Sequence, residues 1–380
     1  MSVWAPWGAH TLTKTVTVKN NNNRISAMAT LLKKIVKILA TALGLLVIAF
    51  VLFYFWASSK TISDETYNKG SIYRIEAHLK NSYQKKRTYS LVTYNVGFGS
   101  GMANNLPIEV DRAAYDKNMK LVLGAVQKVN PDFVAAQEID IDSSRSFYQN
   151  QVKDIANAIK APHGAFLANW SKKYVPFPYW PPAIQYGKML SGQAVISKYP
   201  IVSQKRYNLK APAANPFYYN AFYLSRVIQE TVVRFDGKEL YIVNVHLEAF
   251  DMPNRIEQTR YLLEIYKKLK DKPVLIVGDF NCVPTNSTKV DNYKGYPEDT
   301  YRNDETMKML LAEVSLKPAI TEARYISDEK KYYTFSSGRP ERKLDYVFYN
   351  DKIRFMKSRV MNDAGDGSDH LPIYFEFQFK

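Results

Sequence analysis

Val227–Leu247, VIQETVVRFDGKELYIVNVHL, is the stretch that decides the fold class. Two apolar, β-branched runs, Val227 to Phe235 and Leu240 to Leu247, flank Asp236-Gly237. An Asp-Gly pair between such runs predicts a tight hairpin, because the turn needs positive φ at both central positions. At least part of the sheet is therefore antiparallel. Working outward, strands are expected over Tyr89 to Val96, Asp132 to Gln137, Gln193 to Ser197, Val274 to Val277, Lys343 to Tyr349 and Pro372 to Phe379. Helical spacing runs through Arg112 to Val129, Gln151 to Ile159, Arg255 to Leu269 and Glu305 to Leu316, with Asn130-Pro131 and Asp271-Lys272-Pro273 as stops. Strands and helices that alternate around a hairpin favour two packed sheets over one doubly wound parallel sheet.

Composition limits the alternatives. Of 380 residues, 46% are hydrophobic and 23% charged, with Gly 16 and Pro 18, which excludes a collagenous or largely disordered chain. The single cysteine, Cys282, excludes an intramolecular disulfide and a multi-cysteine metal centre. A net charge of +16 predicts attraction to polyanions, either nucleic acid or an anionic lipid surface, without choosing between them.

Ile38 to Ser59 (ILATALGLLVIAFVLFYFWASS) carries no charge and is long enough to cross a hydrocarbon layer. It is apolar on every face, so a membrane anchor is expected at residues 38–59. A cleaved signal is the rival reading, since Ala57-Ser58-Ser59 is small enough for cleavage, but the apolar run is longer than a signal core needs. Lys14, Lys19, Arg24, Lys33, Lys34 and Lys37 precede the run, and no acid occurs before residue 64. The positive-inside tendency then places a basic tail, residues 1–37, in the cytoplasm and the remainder on the extracytoplasmic side of a single-pass protein. Residues 1–27 read as unstructured, and Met28 offers a second start. Residues 60–88, polar and rich in Lys, Ser and Tyr, read as a linker to a catalytic domain over 89–380.

Polar residues of a restricted kind stand at the ends of the expected strands. Asn95 follows Leu91 to Tyr94, Glu138 ends Phe133 to Gln137, and His246 sits in Val243 to Leu247. Asp279 and Asn281 close Val274 to Gly278, Asp345 lies in Leu344 to Phe348, and Asp369-His370 precedes the last strand. Singly, a strand-end Asn or Asp is a turn former and a strand His is a satisfied core residue. Together, carboxylates, amides and imidazoles are costly to bury unless they pair or bind a cation, which makes them a site.

The ordered pieces Tyr94-Asn95-Val96, Gln137-Glu138, Ser191 to Ser197 (SGQAVIS), Asn244-Val245-His246-Leu247, Gly278-Asp279-Phe280-Asn281, Leu344-Asp345-Tyr346-Val347 and Ser368-Asp369-His370-Leu371-Pro372 resemble the endonuclease/exonuclease/phosphatase superfamily. The resemblance covers about residues 89 to 380. It implies an α/β fold, a four-layered α/β sandwich of two packed mixed, largely antiparallel sheets, here preceded by one N-terminal transmembrane helix. It also implies Mg²⁺-dependent hydrolysis of phosphoester bonds, with Mn²⁺ as an alternative ion.

The chemistry agrees with the residue types. Phosphate hydrolysis needs a hard cation, a positioned water and a proton donor for the leaving oxygen. Glu138 suits a single-carboxylate anchor for Mg²⁺, with Asn95 as a second contributor and Asp369 as a third. Asp279 is expected to hold or activate the water and Asn281 to donate to a phosphoryl oxygen. By resemblance, His370, oriented by Asp369, would activate water or bind phosphate, and His246, oriented by Asp345, would support the departing oxygen; which is acid and which base stays open. Arg226 is either a phosphate contact or a surface strand charge.

Gly97-Phe98-Gly99-Ser100-Gly101 lacks the Lys-Ser/Thr of a nucleotide-binding loop and reads as a turn. No His-Glu-x-x-His and no Gly-x-Ser-x-Gly occurs. Two aromatic stretches, Trp170 to Tyr186 and Phe217 to Tyr223, read either as loop packing or as an access rim, with Lys172, Lys173 and Lys188 facing phosphates. Three functions follow: a membrane-anchored phosphoesterase acting on a phosphodiester or phosphomonoester such as a phospholipid, a membrane-tethered nuclease for DNA or RNA, or a catalytically silent membrane-docking adaptor. The intact set of site residues argues against the last. Nothing in the sequence points to a protein partner.

Overall fold

The computed structural model describes residues 11–76 and 86–380, with side chains from residue 22 onward. The chain divides into two compact units, Met1–Ala57 and Ser58–Lys380.

The described part of the first unit is helical throughout, in α1 (Thr11–Ser58), whose last residue opens the second unit. Its portion from Asn22 to Ser58 is long and apolar enough to cross a membrane. Residues 11–27, expected to be unstructured, are helical instead; once an apolar helix is nucleated, each added residue gains a hydrogen bond at little cost. The first ten residues of the expected tail lie outside the described residues.

In the second unit the chain forms, in order, α2 (Asp64–Lys69), β1 (Ser71–Arg74), β2 (Tyr89–Asn95), α3 (Arg112–Val129), β3 (Phe133–Asp140), α4 (Gln151–Ala158), β4 (His163–Val175), β5 (Gly187–Ser197) and β6 (Ile201–Asn208). It continues through α5 (Phe217–Asn220), β7 (Val227–Phe235), β8 (Lys238–His246), α6 (Met252–Leu269), β9 (Val274–Asp279) and α7 (Thr306–Ala312). It closes with β10 (Leu316–Pro318), α8 (Glu322–Ser327), β11 (Asp345–Asn350), β12 (Ile353–Val360) and β13 (Ile373–Phe379). One sheet has seven strands in the order β1-β4-β5-β3-β2-β13-β12, the other six in the order β10-β11-β9-β8-β7-β6. The β2–β3 and β8–β9 pairs are parallel and the remaining named pairs antiparallel. This is the mixed, largely antiparallel two-sheet sandwich expected.

The deciding hairpin forms as read. Asp236 and Gly237 take φ of 51° and 74°, and Phe235 pairs with Lys238 across the turn. Between the sheets, Leu91, Phe133, Val195, Val233, Ile242, Val277 and Phe375 build the main core. β13 alternates, with Ile373, Phe375 and Phe377 inward, whereas β9 is buried along its whole length. That difference follows from cover: α6 packs Leu262, Ile265 and Tyr266 on the far face of β9, so a continuous apolar run is required there. α3 starts where the Asp111 side chain accepts from the Ala114 amide and stops at Asn130, which is left-handed at φ 42° before Pro131.

The linker expectation needs correction. Residues 64–74 form α2 and β1, and β1 adds an edge strand by pairing antiparallel with His163–Phe166 of β4. Ser63 caps α2 by accepting from the Thr66 amide, and the partly buried Ile62, Tyr67, Tyr73 and Ile75 pack on the core. Scattered apolar residues in a polar stretch carry little periodic signal until a partner edge exists. Residues 77–85 of the linker lie outside the described residues.

Candidate active site

Strand register, more than sequence proximity, gathers the polar residues. In the six-stranded sheet, β8, β9 and β11 are neighbours, and His246 and Asp345 both lie opposite Asp279. In the facing sheet, Asn95 pairs with Gln137 across β2 and β3. One residue on, the β3–β5 pairing breaks register between Ala136 and Ile139, and Glu138 adopts φ 51°. A non-glycine residue held in that region is uncommon and marks a site that the surrounding structure over-determines. Asn281 is held likewise at φ 49°.

Gly97 makes room for the cluster. At φ 52° it donates its amide to Asn95 Oδ1 at 3.1 Å, and a Cβ there would meet Asp369 Oδ1 at 2.8 Å. The glycine turn that resembled a phosphate loop is thus a close approach of backbone to carboxylate.

His370 Nδ1 lies 2.8 Å from Asp345 Oδ2 and His370 Nε2 lies 3.6 Å from Asp279 Oδ2. The sequence-based pairing is therefore corrected: Asp345 orients His370, not His246. Asp369 does not orient His370; its carboxylate accepts from Asn104 Nδ2 at 3.1 and 3.3 Å. The same amide donates to Glu138 Oε2 at 2.9 Å, so Asn104 joins Glu138 to Asp369. Asn95 donates to Asp279 Oδ2 at 3.1 Å. Asp279 Oδ1 accepts the Asn281 amide at 2.9 Å, and Asn281 Nδ2 donates to the Leu247 carbonyl at 3.0 Å. His246 Nε2 is 3.7 Å from Glu138 Oε1 and 3.6 Å from Asp279 Oδ2, too far for a hydrogen bond to either.

The two imidazoles are held in opposite charge states. Burial alone would push His370 down, but Asp345, Asp279 and Asp369 outweigh it and raise it to about 10, which makes it a cation at neutral pH. Burial, with the nearby Arg226 and His370 charges, holds His246 well below its usual range, so it is neutral. Asp279 is raised to about 6 by burial, opposed by His370 and reinforced by Asp345. Asp369 is raised to about 6 by burial, opposed by His370 and reinforced by Glu138.

Arg226, just before β7, is only 6% exposed, which excludes the surface-charge reading. Its nearest acid is Glu248 at 3.7 Å, and its Nε and Nη1 atoms have no hydrogen-bond partner. Asn104 and Glu248 were missed from the sequence. Nothing marks Asn104 in its loop; Glu248, directly after His246-Leu247, was legible only by its proximity to that motif. Asn244 of the same motif is structural: its side chain accepts from Gln137 at 2.7 Å and donates to the Ala136 and Ala194 carbonyls and to Gln229, joining the two sheets.

The donor set fits a divalent cation. Glu138, Asp279, Asp345 and Asp369 converge in a buried space, and Asp345 Oδ1 has no hydrogen-bond partner. Ligand atoms of Asp279, Asp345 and His370 lie within 4.8 Å of one another. Of these, Asp345 and His370 already neutralise each other, whereas Glu138 and Asp369 face one another with only an amide between them, so the unmet demand for positive charge is on that side.

A two-sheet sandwich carrying an Asp–His pair, opposed carboxylates and a buried arginine at the ends of its central strands is the framework of a metal-dependent phosphoester hydrolase. The chain belongs to the endonuclease/exonuclease/phosphatase family, whose profile matches residues 92–370. No curated protein matches the sequence. Among solved structures, a family member from Beutenbergia cavernae superposes with a TM-score of 0.54 at 20% identity, covering 77% of this chain and 72% of that one. The catalytic domain of human nocturnin with bound sulfate gives 0.51 at 16% identity, covering 78% and 97%. The mannosyl-6-phosphatase of Bacteroides thetaiotaomicron gives 0.50 at 17% identity, covering 77% and 100%. At such identities the likeness shows the fold alone.

Proposed function

We propose that this chain is a membrane-anchored, Mg²⁺-dependent phosphoesterase that hydrolyses a phosphodiester or phosphomonoester of a phospholipid. One observation carries the reading: Glu138, His246, Asp279, Asp345, Asp369 and His370, scattered over the sequence, converge with unmet positive-charge demand beside a buried arginine with two free donors. α1 is the anchor, with the N-terminus cytoplasmic and the catalytic unit extracytoplasmic.

Glu138 and Asp369, with Asn95, would hold the ion, Mg²⁺ or Mn²⁺ in its place. When bound, it offsets the negative charge that builds on the phosphoryl oxygens. The remaining work falls to protein groups. Arg226 offers its unpartnered Nε and Nη1 N–H groups, which point in different directions, to phosphoryl oxygens. His370, kept cationic by Asp345, donates from Nε2 to another. Asp279 takes the proton of the attacking water; a carboxyl raised to about 6 is a stronger base than an ordinary one and is still mostly ionised at neutral pH. Asn281 holds the Asp279 carboxylate in place through its backbone amide. Neutral His246 stands on the other side of Asp279 and supports the departing oxygen.

A second reading, a membrane-tethered nuclease, fits the net charge of +16 equally well. The test is full-length protein in proteoliposomes, with Mg²⁺ or chelator, offered phospholipids, sphingomyelin-like lipids, phosphomonoesters and single- and double-stranded DNA. Metal-dependent lipid turnover supports the reading. DNA cleavage without lipid turnover assigns the nuclease instead, and no turnover of any ester revives the adaptor.

A further inference from the structure

Trp180 and Phe217, both 78% exposed, and Phe250, 76% exposed, are among the most exposed large apolar residues of the second unit. They belong to loops that meet at one place. The Trp170 indole donates to the Phe222 carbonyl at 2.8 Å, and the Ser225 amide donates to the Asn169 carbonyl at 2.9 Å. The middle of β4, which leads into the ring-bearing loop, is thereby tied to the segment that leads into Arg226. Phe250 lies two residues beyond Glu248, the arginine's partner. Burial, then the neighbouring Tyr179 and Glu248, raise the Tyr219 hydroxyl while Arg226 opposes them, so the ring-bearing loops lie on the Arg226 side of the site. Neighbouring rings of the patch touch, with Phe177 and Tyr179 centroids 6.1 Å apart and Phe217 and Tyr218 centroids 5.6 Å apart, while Phe177 also rests on Tyr186 at 5.4 Å and so on the small core of Trp170, Val175 and Met189.

The next residues of β4 are tied to the start of the unit. Lys172 Nζ donates to the Ser58 carbonyl at 3.1 Å, the Lys173 amide to the Ser59 carbonyl at 2.9 Å, and the Thr61 amide to Ser171 Oγ at 2.9 Å. Ser58 is the last residue of the apolar helix. Trp180 is seven residues beyond Lys173, whose amide bonds Ser59, so even a fully extended chain keeps it within about 28 Å of the start of the unit. An interfacial region of roughly 5–7 Å on each side of the hydrocarbon is where Trp and Tyr settle.

Charge does not explain the patch. The Lys188 ammonium is engaged by Asp142 at 2.5 Å and that of Lys172 by Ser58, so of the three lysines the sequence reading had meeting phosphates only Lys173 is exposed beside the rings. Pro176, Pro178, Pro181 and Pro182 stiffen the loop, so little conformational freedom is lost when the rings are held at a surface.

We propose that Phe177, Tyr179, Trp180, Phe217 and Tyr218 form a membrane-docking rim that seats in the interfacial layer of the bilayer holding α1 and turns the Arg226 side of the cleft toward lipid headgroups. This rests on the anchored phosphoesterase reading and adds the surface that selects a substrate embedded in the membrane.

The test uses the full chain in phosphatidylcholine proteoliposomes. The Trp180 emission is taken as the difference between the wild type and Trp180→Phe. Quenching of that emission by lipids brominated near the headgroup, with protection from aqueous iodide, supports the rim; iodide quenching without bromolipid quenching overturns it. Protection by single-stranded DNA in place of the bilayer also overturns it and makes the rings a base-stacking platform. In parallel, the combined variant F177S/W180S/F217S/Y218S, all at exposed positions, is expected to lose about tenfold or more in turnover of bilayer phosphodiester. Its hydrolysis of the soluble ester bis(p-nitrophenyl) phosphate stays unchanged. Equal turnover of bilayer lipid by both proteins overturns the rim. If neither protein hydrolyses any ester, the phosphoesterase reading fails, while the Trp180 depth still decides the docking surface.

Discussion

Asp345→Asn changes a charge and almost no shape, which makes it the sharpest probe of the site. Asp345 Oδ2 and His370 Nδ1 are 2.8 Å apart, and both side chains are almost fully buried. Leaving one partner of such a pair uncompensated costs about 3–5 kcal/mol; asparagine keeps one acceptor oxygen, so the lower end applies. If that loss falls on the transition state, about 3 kcal/mol is roughly a hundredfold drop in kcat/KM. The pH profile is the finer readout. In the wild type the three surrounding carboxylates hold His370 at about 10, so its charge persists throughout the neutral range. In the variant the largest of the three contributions is gone while burial still opposes the charge, and the imidazolium is lost near neutrality. The variant's deficit should therefore shrink as pH falls below the ordinary imidazole range, while the wild type shows no such acid rescue. The assay is metal-saturated ester hydrolysis across pH 5–9, with thermal melts to confirm folding. A kcat/KM within threefold of wild type and a superimposable pH profile would refute the assignment of His370 as a cation held by Asp345.

The remaining predictions concern the metal, the inter-sheet contacts and stability. Asn104→Ala removes the amide that joins Glu138 to Asp369, and Mg²⁺ affinity measured by titration calorimetry should fall about 10–100-fold, as for other groups that orient metal ligands. Asn244→Leu removes one acceptor of the Gln137 amide and the donor to two backbone carbonyls between the sheets, and chemical denaturation should show a loss of about 1–3 kcal/mol; an unchanged midpoint would show that the network is dispensable. Gly278→Ala places a Cβ 2.0 Å from the Val245 carbonyl oxygen at φ 136°, so a loss above about 4 kcal/mol, or no folded protein, is expected in thermal melts. In wild type, the raised His370 adds stability that is fully present below its unfolded value of 6.5 and is lost as pH rises through about 10; melting temperatures of wild type should therefore fall across that window more steeply than those of D345N.

Much of this protein was legible before any coordinates. The Asp236-Gly237 turn between two β-branched runs is a local code, and it formed the hairpin expected because the turn's φ requirement involves only those two residues and their flanks. The apolar run in α1 and the caps of α3 are local in the same sense. The identities of Glu138, His246, Asp279, Asp345 and His370 as site residues came from their recurrence at strand ends, since a strand terminus next to a loop is where a side chain escapes the ladder. β1, β6, β10 and β12 escaped notice because edge strands are short of a continuous apolar run, and the inner strand β4 escaped too, its Trp170–Val175 end having been read as part of an aromatic loop.

Partnership among those residues was a different matter. Asp345 serves His370 because β11 lies beside β9, and β13 follows Asp369-His370 back into the facing sheet, a crossing that spacing along the chain does not encode. The same holds for Asn104 between two carboxylates and for Arg226, whose burial depends on what covers it. Charge states belong with these: an imidazole at a strand end becomes a cation or stays neutral according to how many carboxylates surround it in space. Residue type and local backbone preference are properties of neighbours in the chain, and the sequence alone determined them here. Which groups touch, and therefore which protons they carry, depends on long-range register between strands, and only the tertiary structure decided it.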